Sequence, residues 1–266
     1  MARKHRLVTL VFSHYNEKAR WALDDCGIDY EEHRLMPGFS QLGVMIATRG
    51  RGGQADNVST RFSTPVLITR EGEHLCDSTD IARWASKQAG DRLFPNEEVS
   101  ALVDHYSRSY GAHTRRAAYW HVFRSERALA KMATANVGRV QALAYRAMAP
   151  VNSFAIRKLL DITDEAYARS LARIREVLEE AGRRLERSEY LAGDSFTAAD
   201  LTFAALSAPV LLVSREEGYG ATFPSLDDFQ SDTRELVEEI RATRAGKFVL
   251  EVFRRHRHSR PAERAG

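Results

Sequence analysis

Cysteine occurs twice in the 266 residues, as Cys26 and Cys76. Two thiols are too few for a disulfide scaffold or a four-cysteine zinc site, and such sparing use fits a reducing compartment. The apolar stretch at the N-terminus covers only residues 7–12, shorter than the core of a secretory signal and without a cleavage site. No apolar run approaches the ~20 residues needed to cross a bilayer. These absences predict a cytoplasmic protein. One-sided charge is missing too: 39 basic residues face 36 acidic ones, for a formal net charge of +3. That balance argues against a dedicated nucleic-acid binder. The glycine-rich piece GRGGQADN lacks the Gly-Lys-Ser/Thr ending of a phosphate loop, which removes a nucleotide role for it. What is present, 44% hydrophobic and 28% charged residues, is enough for one large or two modest soluble domains with real cores.

The β-branched run RLVTLVF reads as a buried strand. Tyr15, Ala19, Ala22, Leu23 and Cys26 then fall at helical spacing, and Gly27 closes that helix. IDYEEHRL alternates apolar and polar residues as a second strand. A strand–helix–strand opening implies a parallel pair joined by a crossover helix. FSQLGVMIATR reads as an irregular helix. STPVLIT and HLCD form a hairpin about the turn REGE, and DSTDIARWASKQAG is a helix opened by Asp77 and Ser78. Beyond residues 94–97 strand signals stop, and helices are expected over about 97–130, 136–149, 164–188, 197–214, 226–241 and 246–256. The expected division is an α/β domain at 5–93, an all-α helical domain at 97–256 and a basic tail at 257–266.

Three local features could carry chemistry. Ser13 stands where the first strand hands over to a helix, where unpaired N–H groups and the helix dipole favour an anion. Its hydroxyl could donate to a thiolate, or serve as a plain N-cap. Pro65 cannot donate to a sheet ladder, so it marks an exposed strand start and a candidate cis peptide, with Thr64 available to an extended, peptide-like ligand. Asp77 and Ser78 open a helix with orphan N–H groups, a hydroxyl and a carboxylate, a set suited to a group bearing both a carboxylate and an ammonium. Each feature alone is explained as well by capping or strand entry. Nothing in the sequence has the spacing of a metal-ligand set.

The order strand–Ser–helix, Xaa-Pro strand, Asp-Ser helix resembles the N-terminal domain of the cytosolic glutathione transferases. Its pattern stands here as Ser13, Lys18, Arg20, Trp21, Ala22 and Leu23, then Thr64, Pro65, Val66 and Leu67, then Asp77, Ser78 and Ile81. YLAGDSFTAADLTFAALSAPV matches the family's signature in the helical domain, with Thr197 and Asp200 as a capping box. The resemblance implies a thioredoxin-like N-terminal domain that binds glutathione as co-substrate and an all-α C-terminal domain that shapes a pocket for a small apolar electrophile. It assigns Ser13 to the glutathione sulfur, Thr64 with Pro65 to the cysteinyl backbone, and Asp77 with Ser78 to the γ-glutamyl end. It also implies a homodimer. A thiol brought to a lower pKa is the nucleophile in such chemistry.

Several readings stay open at this level. His14, Tyr15 and Asn16 stand where some relatives carry a cysteine, which disfavours mixed-disulfide chemistry on the protein. His33, Arg49, Arg51 and Arg61 all qualify as partners for the glycine carboxylate. Tyr106, Tyr110, His113 and Trp120 share roughly one helical face and could line the electrophile pocket or fill the core. The basic, amphipathic stretch 120–150 permits membrane-surface contact, although a solvated helix face explains it with less. The competing functional class is a non-catalytic transferase-like protein that binds apolar ligands or a partner, and the thiol could be another small one.

Overall fold

A computed structural model describes residues 4–35, 40–52, 62–134, 151 and 153–257. Strands β1 (His5–Leu10), β2 (Tyr30–Leu35), β3 (Val66–Ile68) and β4 (His74–Leu75) form one sheet in the order β2-β1-β3-β4. β1 and β2 run parallel, with His5 opposite Tyr30 and Leu10 opposite Leu35. Helix α1 (His14–Asp25) makes the crossover between them. β3 runs antiparallel to both β1 and β4. The parallel pair with its crossover and the antiparallel hairpin agree with the sequence pattern.

Strand alternation sorts the sheet's side chains into two layers. Leu7 and Leu67 pack with Ala19 and Leu23 of α1 and with Ile81 and Ala85 of α3 (Ser78–Gln88). Their neighbours Val8, Val66 and Ile68 point to the opposite face, against Val44 of α2 (Ser40–Ala47). The irregular helix expected around residue 40 is this short α2.

The helical part comprises α4 (Glu97–Ser109), α5 (Gly111–Val122), α6 (Glu126–Thr134), α7 (Asp164–Arg184), α8 (Ala198–Leu211), α9 (Ser231–Ala242) and α10 (Arg244–His256). The single helix expected over 97–130 is in fact three. Ser109 donates its hydroxyl to the His105 carbonyl one turn back at 2.5 Å, a bond that bends helices. Tyr110 then leaves helical geometry at φ −123°. The second break ends where the Ser125 hydroxyl accepts from Ala128 N and donates to the Asp228 carbonyl. The expected helix 226–241 is a 3-10 turn, Leu226–Asp228, followed by α9. The expected helix 136–149 lies outside the described residues.

α8 has every residue buried, as a helix that is apolar on all sides must. Its start is the expected capping box. Asp200 accepts from Thr197 N and the Thr197 hydroxyl through one oxygen, and from Leu191 N through the other. The core around α8 continues into the α/β part, where Val11, Phe12, Trp21 and Ala22 belong to the same buried cluster as Tyr106, Phe203 and Phe253. No helix among the described residues is long and apolar enough to cross a membrane.

Candidate functional site

Ser13 takes extended backbone, φ −73° and ψ 128°, directly ahead of α1, and its carbonyl accepts from Glu17 N at 2.9 Å. Its side chain makes no cap hydrogen bond. The hydroxyl therefore stands at an N-cap without doing an N-cap's work, and it lines a cavity of about 390 Å³. That cavity is walled mainly by apolar residues, including Phe12, Val122, Met132, Leu160, Phe223 and Phe229. A second, polar cavity of about 640 Å³ is lined by Thr64, Pro65, Asp77 and Ser78. Tyr15, Ser63, Thr64 and Arg115 line both. The structure thus brings together all five residues singled out in the sequence: Ser13 on the apolar side, Thr64 at the junction, and Pro65, Asp77 and Ser78 on the polar side.

The Thr64–Pro65 peptide is cis, as expected. Asn16 is fully buried and donates from Nδ2 to the Thr64 hydroxyl at 3.2 Å. At the position where a cysteine would serve mixed-disulfide chemistry, this side chain instead ties α1 to the residue before the cis proline. Its Oδ1 is buried without a hydrogen-bond partner. Asp77 is the working cap of α3, accepting from Thr79 N at 2.6 Å and Asp80 N at 3.4 Å, both on Oδ1. Ser78 is buried behind it.

His14 donates from Nε2 to the Gly111 carbonyl at 2.9 Å, since a carbonyl can only accept. Burial, reinforced by the Arg115 charge, brings the His14 pKa down to about 3. The imidazole beside Ser13 is therefore neutral at ordinary pH. Tyr15 packs against it at 4.4 Å between ring centroids. Its phenol is held above its usual range, chiefly by burial. The two thiols are not activated: burial pushes both Cys26 and Cys76 up to about 11.

Lys18 is completely buried and donates from Nζ to the hydroxyls of Thr79 at 2.8 Å and Ser107 at 3.0 Å. It thereby joins α1, α3 and α4 around the polar cavity. Burial lowers its pKa from 10.5 to about 8 against the opposing pull of Asp77. Folded protein then binds fewer protons than unfolded chain between pH about 8 and 10.5, so the stability contributed by Lys18 rises with pH across that window. The stability of wild type relative to Lys18→Met is expected to increase by about 3 kcal/mol between pH 7.5 and 10.5. Urea unfolding of both proteins at the two pH values measures this, and a constant difference would contradict it.

Of the open choices for a glycine-carboxylate partner, the three among the described residues line neither cavity. His33 is exposed on β2 beside Glu31, and Arg49 and Arg51 are exposed after α2. Arg61 lies outside the described residues. The arginines that do line the polar cavity are Arg83, Arg108 and Arg115. The four residues considered as an aromatic lining also lie elsewhere. Tyr106 and Tyr110 are fully buried against Phe203. His113 bonds Ser170, and Trp120 stacks on Tyr167 at 3.8 Å. The helix break at Tyr110 resets the face, so Tyr119, His121 and Val122 reach the apolar cavity instead. Tyr15 and Arg115 were not singled out as site residues. Arg115 lies about a hundred positions from Ser13, and no local motif marks it.

The N-terminal domain family of the glutathione S-transferases matches residues 12–88, and the C-terminal domain family of the same enzymes matches residues 164–206. The chain belongs to the glutathione transferase superfamily. Solved glutathione S-transferases share the fold. One from Rhodospirillum rubrum F11 is 17% identical with a TM-score of 0.53, the match covering 92% of this chain and 91% of that one. One from Xanthobacter autotrophicus Py2 is 16% identical with a TM-score of 0.53, over 90% of this chain and 93% of that one. A glutathione S-transferase-I bound with lactoylglutathione is 18% identical with a TM-score of 0.50, over 94% of this chain and all of the other. No curated protein matches the sequence. At these identities the likeness to other transferases is one of fold.

Proposed function

We propose that this transferase relative binds glutathione in the polar cavity, stabilises its thiolate with the Ser13 hydroxyl, and delivers it to a small apolar electrophile held in the adjoining cavity. The observation that carries the reading is the Ser13 hydroxyl itself. It makes no cap bond, stands at the N-terminus of α1, and lines the apolar chamber beside a polar one. Unpaired helix N–H groups and a hydroxyl donor there favour the sulfur anion over the thiol, so more of the nucleophile is present near neutral pH. Thr64 and Pro65 are assigned to the cysteinyl backbone, Asp77 and Ser78 to the γ-glutamyl end. Asp77 Oδ1 already caps α3, so an ammonium group would pair with the other oxygen. The protein forms no covalent intermediate: sulfur attacks the electrophilic carbon and the leaving group departs into solvent. A glutathione-binding domain over 5–93, an electrophile-binding domain over 97–256, a homodimer and a cytoplasmic setting complete the proposal.

Ser13→Ala is expected to lower kcat/KM with 1-chloro-2,4-dinitrobenzene by about 10- to 100-fold, the cost of losing one hydrogen bond to a charged group. Its calorimetric affinity for glutathione is expected to stay close to wild type. Unchanged turnover in the variant would remove Ser13 from the chemistry. Failure of the wild type to bind millimolar glutathione would favour the non-catalytic, ligand-binding class or a different small thiol.

A further inference from the structure

Arg115 sits on α5 in the wall shared by the two cavities. Among the described residues it takes part in no ion pair, and its Nε is buried without a hydrogen-bond acceptor. The other two arginines of the polar cavity are placed differently. Arg83 and Arg108 both reach Asp104, at 3.5 and 3.8 Å. The Arg115 guanidinium lies over the Tyr15 ring, 5.9 Å from its central carbon to the ring centroid. That is at the outer edge of cation–π contact and leaves the charge uncompensated. The neighbouring imidazole of His14 is neutral and bonded to Gly111, so it offers no anion either. Asp77, Asp80 and Asp104 lie in the polar cavity, while among the described residues no carboxylate lines the apolar one.

A half-buried guanidinium with an unsatisfied donor, in the wall of an apolar chamber, asks for an acceptor with a hydrophobic body. The guanidinium fork matches a carboxylate in two parallel bonds. We propose that Arg115 is the anion anchor of the apolar cavity, and that the compound taken there carries a carboxylate joined to an apolar group of about aryl size. The anchor itself follows from the cavity and the unpaired charge. The further step, that this carboxylate-bearing compound is the electrophile, rests on the transferase function proposed above.

The test is equilibrium binding of cinnamate and of cinnamyl alcohol, which share the apolar body and differ in charge. It is run at pH 7 without glutathione on wild type, Arg115→Gln and Arg115→Lys. Wild type is expected to bind cinnamate about tenfold or more tighter than the alcohol, as a charge-assisted pair allows. Arg115→Gln is expected to lose that preference while keeping its affinity for the alcohol, and Arg115→Lys to keep part of it. Wild type without a preference for cinnamate overturns the proposal whether or not the variants fold. Equal weakening of both ligands in Arg115→Gln also overturns it, since that marks a packing role. A glutathione titration of the same wild-type sample separates the two ideas. Absence of glutathione binding would defeat the transferase reading, and the cinnamate comparison would still decide the anchor.

Discussion

Glu17→Gln is expected to lower the unfolding free energy by about 3–5 kcal/mol, the cost of breaking one member out of a buried ion-pair cluster. Glu17 is fully buried on α1 and stands between two guanidinium groups. Its Oε1 accepts from Arg257 Nε at 2.7 Å, and its Oε2 from Arg20 at 3.1 Å and Gly220 N at 3.2 Å. Arg20 also reaches Glu32 at 2.5 Å and the Val11 carbonyl at 2.9 Å, and Arg257 also reaches Asp24 at 2.8 Å. Burial acts against charge at Glu32, but Arg20 and Arg34 outweigh it and bring that carboxyl down to about 2. Asp24, in contrast, is raised, because burial outweighs Arg257. Removing the central negative charge leaves two buried cations sharing fewer carboxylates, and an amide nitrogen that can only donate is set against donors. Denaturant unfolding at pH 7 measures the loss. A drop below about 1 kcal/mol would mean that water enters the cluster and screens it.

The second large effect is expected from Trp21→Ala, again about 3–5 kcal/mol, because a fully buried aromatic leaves both lost transfer energy and a cavity. Trp21 heads the largest completely buried side chains of the chain. It extends from α1 out of the α/β layer into the helical part, with its ring centroid 4.7 Å from Phe253 and 6.1 Å from Phe196, and its indole N–H donates to the His256 carbonyl at 3.2 Å. Because this one side chain packs in the core common to both parts, unfolding is expected to remain a single transition that moves to lower denaturant for the whole chain. Circular dichroism for the helices and amide exchange of β1 for the sheet should shift together. Separate transitions would show that the two parts fold independently. As a control, Ile46→Ala on α2 changes a residue that is 68% exposed and is expected to stay within about 0.5 kcal/mol of wild type.

Much of the fold was legible because its signals are local. RLVTLVF reads as a buried strand, and its successive side chains Leu7 and Val8 pack on opposite faces, against α1 and α2 respectively. Asp77 and the Thr197–Asp200 pair cap helices through bonds that span three residues or fewer. The break at Tyr110 was not legible, because periodicity continues across it and a serine back-bond with tertiary packing decides the bend. Arg257 read as the first residue of a basic tail. It is nine-tenths buried between Glu17 and Asp24, two carboxylates more than two hundred positions away.

By itself the sequence determined the strands and helices of the α/β part and the caps, because these depend on residues a few positions apart, while its resemblance to a known family joined Ser13, Thr64, Pro65, Asp77 and Ser78 into one candidate group. Only the tertiary structure decided what each hydroxyl and charge faces. It left the Ser13 hydroxyl out of the cap, set Asn16 beneath Thr64, and brought Arg115 unpaired to the wall between two cavities. Those outcomes depend on which surfaces meet once the chain is packed. A side chain's partners, and so the charge it keeps, come from residues that no local pattern can bring into view.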